Sequence, residues 1–163
     1  MPVARALAGL LIAVLFAGAA CADSWRTYRN PRFGTIAQYP AGWRMGPEPA
    51  NGDGLRFTSP DGRASLTISG IFFTQSRAEE FAMRLEPEDG ETITYKKQGP
   101  DWIVVSGVNG DRIFYRKSLL TCGVWNDVSM EYPAADKAEF DAIVGHVAAS
   151  LKGGHGAGSI PCP

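Results

Sequence analysis

The chain has 163 residues, a formal net charge of −1 and 45% hydrophobic residues, so it can form one domain with a sizeable core. This charge balance lacks the basic excess that is typical of nucleic-acid-binding proteins, and no run of like charges indicates a basic membrane patch. After the apolar run near the amino terminus, no stretch approaches the length of a membrane-spanning helix.

Residues 1–22 are predicted to be a signal peptide that lies outside the fold. A positively charged start precedes an apolar run of about 12 residues, which ends at small residues around Cys21. This pattern predicts cleavage before Asp23 and export to the periplasm or out of the cell. The alternative makes Cys21 the lipidated first residue of a lipoprotein, although Gly18 replaces the leucine usual at the third position before such a cysteine.

The rest of the chain is predicted to form a single α+β domain over residues 23–152, followed by a glycine-rich tail at residues 153–163. Cys122 and Cys162 lie outside the signal segment, and two thiols in an oxidising compartment favour a disulfide. We expect this bond to be structural and to pin the tail, because no CxxC spacing indicates redox chemistry. Closing a loop of about 40 residues stabilises a fold by about 4 kcal/mol on the chain-entropy model.

Turn signals divide residues 35–132 into short apolar stretches, which predicts an antiparallel sheet. Pro60-Asp61-Gly62 and Asn109-Gly110 are strong turn signals, because proline fixes φ and glycine accepts a positive φ. Leu66 and Ile68 alternate with polar residues, as a half-buried strand requires. The predicted strands cover residues 35–39, 56–59, 64–70, 92–98, 102–108, 111–120 and 124–132.

Two helices are predicted, near residues 76–86 and 134–152. Ser76 and Glu79 have the spacing of a capping box at the start of the first helix, and Pro87 ends it. The second helix carries one apolar stripe, made of Phe140, Ile143, Val144, Val147 and Leu151.

Residues 102–108 are apolar on both faces of their predicted strand. One face carries Trp102, Val104 and Val108, and the other carries Ile103 and Val105. A strand of this kind belongs in the middle of a sheet that is covered on both sides. With two amphipathic helices available as covers, we predict an α+β fold in which an antiparallel sheet of six or seven strands lies between helices, an α-β-α sandwich.

The stretch YRNPRFGTIAQYPAGW at residues 28–43 carries a recurring motif. Its motif positions are Tyr28, Asn30, Gly34, Tyr39, Pro40 and Trp43. This pattern, with the order of predicted elements, resembles the PsbP-like fold, which Ran-binding Mog-type proteins and DcrB-type bacterial lipoproteins share. Residues 51–62 are also similar to small exported proteobacterial proteins that carry NGDG and SPDG. The resemblance implies the α-β-α sandwich over the exported chain and supplies no catalytic residue, because this fold hosts several unrelated functions.

The acidic glycine motif at residues 51–54 is predicted to form plain turns. In a calcium loop that begins at Asn51, Gly62 occupies the twelfth position, which requires a glutamate. His146 has no carboxylate three or four positions away, and His155 lies in the glycine-rich tail. We therefore predict no catalytic residue, no metal site, no cofactor and a protein that is not an enzyme.

A dense group of carboxylates is predicted to lie on a solvated helix face and in the loop that follows. Its members are Glu79, Glu80, Glu86, Glu88, Asp89 and Glu91. A glycosidase uses a pair of such carboxylates. An envelope hydrolase with an unrecognised acidic site is therefore the alternative to a binding protein.

An aromatic and arginine-lined surface is the predicted binding site. Arg112, Phe114 and Arg116 share one face of a predicted strand, and Trp43 and Arg44 follow the break at the end of another. The next strand presents candidate cross-strand partners, namely Trp125, Asp127, Ser129 and Glu131. Alternatively, these side chains support a helix that lies over this face. The leading prediction is a non-catalytic accessory protein that binds an envelope protein or a small ligand.

Overall fold

The computed structural model describes residues 24–154 and Gly156, and its main element is a seven-stranded antiparallel sheet. The strands are Trp25–Arg29 (β1), Ile36–Pro40 (β2), Arg44–Met45 (β3), Gly54–Thr58 (β4), Ser65–Phe72 (β5), Glu91–Gln98 (β6), Trp102–Asn109 (β7), Arg112–Thr121 (β8) and Val124–Pro133 (β9). The helices are Arg77–Leu85 (α1) and Lys137–Ser150 (α2), and a 3-10 turn at Ala134–Asp136 precedes α2.

The large sheet has the strand order β3-β4-β5-β9-β8-β7-β6, and each neighbouring pair is antiparallel. β1 and β2 form a separate hairpin, which a bridge between Ile36 and Lys152 joins to the chain after α2. This topology confirms the predicted antiparallel α+β fold. β1 and the two-residue β3 were not predicted, because their polar, largely exposed sequences show no alternation of apolar residues.

The predicted turns have the backbone geometry that their sequences require. Gly62 and Gly110 adopt positive φ values of 78° and 60°, and Gly62 N donates to Ser59 O at 2.9 Å. Across the second turn, Asn109 pairs with Arg112, so β7 and β8 form the predicted hairpin.

The two helices cover opposite faces of the sheet. On one face, Phe140, Val144 and Val147 of α2 pack in a buried cluster with side chains of β4, β5 and β9. On the other face, Phe81 and Leu85 of α1 pack against a cluster from β7, β8 and β9. The predicted capping box at the start of α1 is present. An isolated helix of nine residues is marginal in water, so this packing stabilises α1.

β7 differs from the prediction on one face. It lies second from the β6 edge rather than in the middle, and α1 covers Ile103 and Val105, each 1% exposed. On the opposite face Trp102 is half-buried and Val108 is 37% exposed. The reason is the position of α2, which packs mainly on β2 and β9 and reaches only as far as β8. Val104, on the same face, is buried at 9% exposure, so the prediction that residues 102–108 are covered on both sides holds there and is wrong at Trp102 and Val108.

Some predictions concern residues at the ends of the chain. The predicted signal segment at residues 1–22, His155 and Cys162 lie outside the described residues. Cys122 lies in the turn between β8 and β9 with a φ of 51°, and its bond to Cys162 stays a prediction. Within residues 24–154 and Gly156, no helix has the length and apolar character to cross a membrane.

Candidate binding site

Strands β6, β7 and β8 present a shallow depression on the face of the sheet that α2 covers elsewhere. Its lining residues, which we call the open face, are Tyr95, Lys97, Trp102, Val104, Tyr115, Lys117 and Leu119. The strand register explains this grouping, because Val104 pairs with Lys97 on one side and with Lys117 on the other. The depression has a volume of about 450 Å³.

The open face exposes aromatic side chains to solvent. Tyr95 is 52% exposed, and Trp102 and Tyr115 are half-buried. The Trp102 indole lies against Gly99 in the β6–β7 turn, where a Cβ atom on residue 99 would come within 2.1 Å of Trp102 Nε1. Contiguous exposed apolar surface of this kind marks interaction sites in many proteins.

The charge of the open face is positive. Lys97 and Lys117 are its charged members, and its lining includes no carboxylate. Lys117 Nζ donates to the Ala148 carbonyl oxygen at 2.7 Å near the carboxy-terminal end of α2, where a cation is favourable. Burial lowers the pKa of Lys117 below its ordinary value.

The residues of the open face were not predicted as a site. The signal that could have revealed them is the repeated spacing of a tyrosine two positions before a lysine, which places Tyr95 and Lys97 on one face of their strand and Tyr115 and Lys117 on one face of theirs. That spacing does not show which half of the sheet α2 leaves open, because helix position depends on contacts between distant segments.

A second concavity lies between α1 and the opposite face of the sheet. It has a volume of about 310 Å³, and its lining includes Ile71 and Met83, each 52% exposed. Arg84 of α1 is one of its lining residues and forms an ion pair with β9, in which it donates to Asp127 Oδ1 at 2.9 Å. The same guanidinium donates to Ser118 Oγ at 3.0 Å. Burial raises the pKa of the Asp127 carboxyl, and the Arg84 cation opposes this shift.

Glu80 on α1 is buried rather than solvated. It is 5% exposed and accepts hydrogen bonds from Trp125 Nε1 at 3.1 Å, Thr74 N at 3.0 Å and Gln75 N at 3.2 Å. Burial alone raises the pKa of this carboxyl, but the hydrogen bonds from residues 74 and 75 and the Arg84 cation outweigh burial and lower it. The predicted solvated location of Glu80 is wrong, because the indole of a distant strand supplies a buried donor that needs an acceptor.

The predicted residues of β8 share one face, as expected, but they have different surroundings. Phe114 is 2% exposed in the cluster that α1 covers. Arg116 lies 4.8 Å from the centre of the Phe114 ring and donates to both carboxylate oxygens of Glu91, at 2.7 and 2.9 Å. Glu91 has a side chain that is only 7% exposed, so its predicted solvated location is also wrong. Arg112 instead donates to the Arg63 carbonyl oxygen at 2.9 Å.

The predicted cross-strand partners are divided in the same way. Glu131 lies 3.9 Å from Arg112, whereas Asp127 pairs with Arg84 of α1 rather than with an arginine of β8. Trp125 is fully buried beneath α1, with its ring 5.1 Å from that of Phe81. Much of this face therefore supports α1, which is the alternative that the sequence left open.

Trp43 and Arg44 lie apart from the Phe114 cluster. Trp43 is 8% exposed and packs edge-on against Phe140 of α2, with ring centres 6.4 Å apart. Arg44 is exposed at the start of β3. The structure therefore places Trp43 in the core on the α2 side, whereas Phe114 belongs to the core on the α1 side.

The polar residues of the amino-terminal motif build turns. Asn30 is 1% exposed, and its Oδ1 accepts from Phe33 N at 2.7 Å and from Arg32 N at 2.9 Å. Its Nδ2 donates to Gly52 O at 2.9 Å, which ties residues 51–54 to the β1–β2 loop. Among the residues that the structure describes, no group of three or more His, Cys, Asp or Glu side chains is arranged to hold a metal ion.

His146 joins α2 to the β1–β2 hairpin. Its ring stacks on Trp25 with centres 3.6 Å apart and an interplanar angle of 10°. Its Nε2 lies 2.6 Å from Gln38 Oε1. Sequence reasoning did not link these residues, because β1 was not predicted and the contact joins segments more than 100 positions apart.

Comparison with known proteins identifies the fold. No family model matches the chain, and no curated protein matches it. The solution structure of cyanobacterial PsbP (CyanoP) from Synechocystis sp. PCC 6803 is similar, with a TM-score of 0.60 and 11% sequence identity. The match covers 84% of this chain and 96% of that one. A crystal structure from Bacteroides thetaiotaomicron has a TM-score of 0.46 and 18% identity, covering 74% of this chain and 45% of that one.

The chain has a PsbP-like fold. The strand order, the helix on each face and the match to the cyanobacterial structure agree with the resemblance that the amino-terminal motif indicated. At this level of identity the likeness concerns the fold, and function has to be argued from surfaces and side chains.

Proposed function

We propose that this protein is an exported, non-catalytic accessory protein that recognises a protein partner through the open face. The observation that carries the proposal is the half-exposed aromatic surface of β6, β7 and β8, which includes Tyr95, Trp102 and Tyr115. Tyrosine and tryptophan are the residue types that anchor protein interfaces most often, because they bury a large rigid area and retain a polar group.

The state of the acidic groups supports binding rather than hydrolysis. Glu80 accepts from Trp125 and from two backbone N–H groups, and Glu91 binds the Arg116 guanidinium through both oxygens. A general acid or base has to reach the proton that it transfers. A screen of the purified chain against hydrolase substrates tests the alternative, and turnover that is lost on Glu88→Gln would favour the hydrolase.

Export and the disulfide belong to the same proposal. We expect intact-protein mass spectrometry of the native product to show a chain that starts at Asp23, or an acylated Cys21 if the lipoprotein alternative is correct. A full-length product in the cytoplasm contradicts both. The predicted bond between Cys122 and Cys162 is tested by labelling free thiols after denaturation without reductant.

Site-specific photo-crosslinking in the native organism tests partner recognition. A photoreactive phenylalanine analogue replaces Tyr95 on the open face or, as the matched control, Met83 beside the second concavity. Both positions are 52% exposed. We expect a discrete crosslinked product from position 95 that is absent from position 83. Equal products from both positions, or none from position 95, contradict the proposal.

A further inference from the structure

The uncovered part of the sheet has the width of one helix. It extends from β6 across β7 to β8, where Tyr115 and Leu119 also pack against the cluster under α2 and so mark its border. At about 4.8 Å between strands, the strip is about 10 to 14 Å wide. An α-helix with its side chains has a diameter of about 10 to 12 Å. One helix beside α2 would therefore complete the layer on this face.

The position of α2 favours a partner helix, rather than a planar membrane surface, as the occupant of this strip. α2 lies on the same side of the sheet, and the contact between Lys117 and Ala148 shows that its carboxy-terminal part borders the strip. A helix packed on a sheet raises the molecular surface by about 10 Å. A planar bilayer would meet α2 before it reached Trp102, whereas a partner helix fits beside α2.

The edge strand is unsuited to the addition of another strand. The pairing of β6 with β7 shifts between Ile93 and Tyr95, which marks a bulge, and the exposed Lys96 and Lys97 follow it. Bulges and lysines on an edge strand discourage pairing with a further strand. A small molecule is a poor fit as well, because its sites enclose most of the ligand, whereas this depression is shallow.

Chemistry specifies the character of the helix. The floor formed by Trp102, Val104 and Leu119 matches an apolar helical stripe, and Lys97 and Lys117 match carboxylates beside that stripe. We propose that the open face binds an acidic amphipathic α-helix of the partner protein, packed beside α2. This inference rests on the proposed function and adds the chemistry of the partner segment.

Peptide titration of the isotope-labelled exported chain tests the inference. The probes are two synthetic amphipathic helical peptides with the same leucine stripe, one flanked by glutamates and the other by lysines. We expect the acidic peptide to bind at least about tenfold more tightly, because the flanking charges face Lys97 and Lys117. Amide shift changes should be concentrated in β6, β7 and β8, and added salt should weaken binding.

Two charge reversals on β6 provide a matched pair. Lys97→Glu on the open face should weaken binding of the acidic peptide at least about fivefold. Lys96→Glu, the same change on the opposite face of the same strand, should alter the affinity for the acidic peptide less than about twofold. Lys96 pairs with Val105 and therefore lies on the face of the sheet that α1 covers. Circular dichroism verifies that both variants are folded.

The outcomes separate the inference from the proposed function. Equal affinity for both peptides, or amide shift changes concentrated at the second concavity, contradicts the inference that the open face binds an acidic helix. Binding to anionic phosphatidylglycerol vesicles with no binding of the acidic peptide replaces the helix with a membrane surface. A crosslink at position 95 without acidic-peptide binding overturns the inference and leaves the proposed function, whereas failure of both overturns both.

Discussion

Replacing Glu80 with alanine should destabilise the fold more than replacing any of the neighbouring exposed acids. The change leaves Trp125 Nε1 without its acceptor, and Trp125 is fully buried. It also removes the acceptor of the backbone N–H groups of Thr74 and Gln75. Thr74 and Gln75 are exposed, so water can replace part of the hydrogen bonding that their N–H groups lose, whereas the indole of Trp125 is fully buried.

The magnitude follows from these contacts. An unsatisfied buried donor costs about 1 to 3 kcal/mol, and each hydrogen bond to a charged group contributes about 1.5 to 3 kcal/mol. With partial replacement by water at the loop, we expect Glu80→Ala to lower the free energy of unfolding by about 3 to 4 kcal/mol. Glu80→Gln keeps an acceptor oxygen and should lower it by about 1 to 2 kcal/mol.

Urea unfolding followed by circular dichroism measures these differences. Glu79→Ala is the matched control, because Glu79 is the adjacent acid and belongs to an exposed capping box. We expect it to cost about 1 kcal/mol. In a double-mutant cycle, Glu80→Ala and Trp125→Phe should show a coupling of about 1 to 2 kcal/mol. Equal losses for Glu79→Ala and Glu80→Ala, or no coupling, would refute the reasoning.

The remaining predictions address stability at other positions. Burial raises the folded-state pKa of Asp127. The contribution of protonated Asp127 to stability is therefore fully present below the unfolded-state pKa and is lost as pH rises through the folded-state pKa. In urea titrations, the free energy of unfolding of the wild type relative to Asp127→Asn should fall from pH 3 to pH 7. Gly107→Ala places a Cβ 2.0 Å from a backbone carbonyl oxygen of β6 and should lower the free energy of unfolding by about 2 to 3 kcal/mol. Gly110→Ala has open space around its Cβ but a φ of 60°, and it should lower the same free energy by about 1 kcal/mol. Asn30→Ala removes the acceptor of two backbone N–H groups. It should lower the free energy of unfolding by about 2 to 4 kcal/mol and the melting temperature with it. Cys162→Ser should cost at most about 4 kcal/mol and leave the crosslink at position 95 in place; an unchanged melting temperature would contradict the disulfide.

Local sequence determined the turns, the ends of the first helix and most strands. The turns at Gly62 and Gly110 depend on residues next to one another, and the capping box depends on Ser76 and Glu79, three positions apart. The alternation of Leu66 with polar neighbours likewise required no knowledge of the rest of the chain, since side chains of a strand point to alternate faces. These features were therefore predictable with the antiparallel fold.

Tertiary structure alone decided which of these surfaces remained available. Arg116 and Phe114 had the residue types of a binding site, yet α1 and Glu91 engage them. Glu80 had the residue type of a solvated face, yet it is buried against Trp125. The open face around Trp102 exists because α2 packs on the β2 and β9 side of the sheet. Such burial depends on which distant segments meet, and the pattern of apolar residues along one strand carries no information about that.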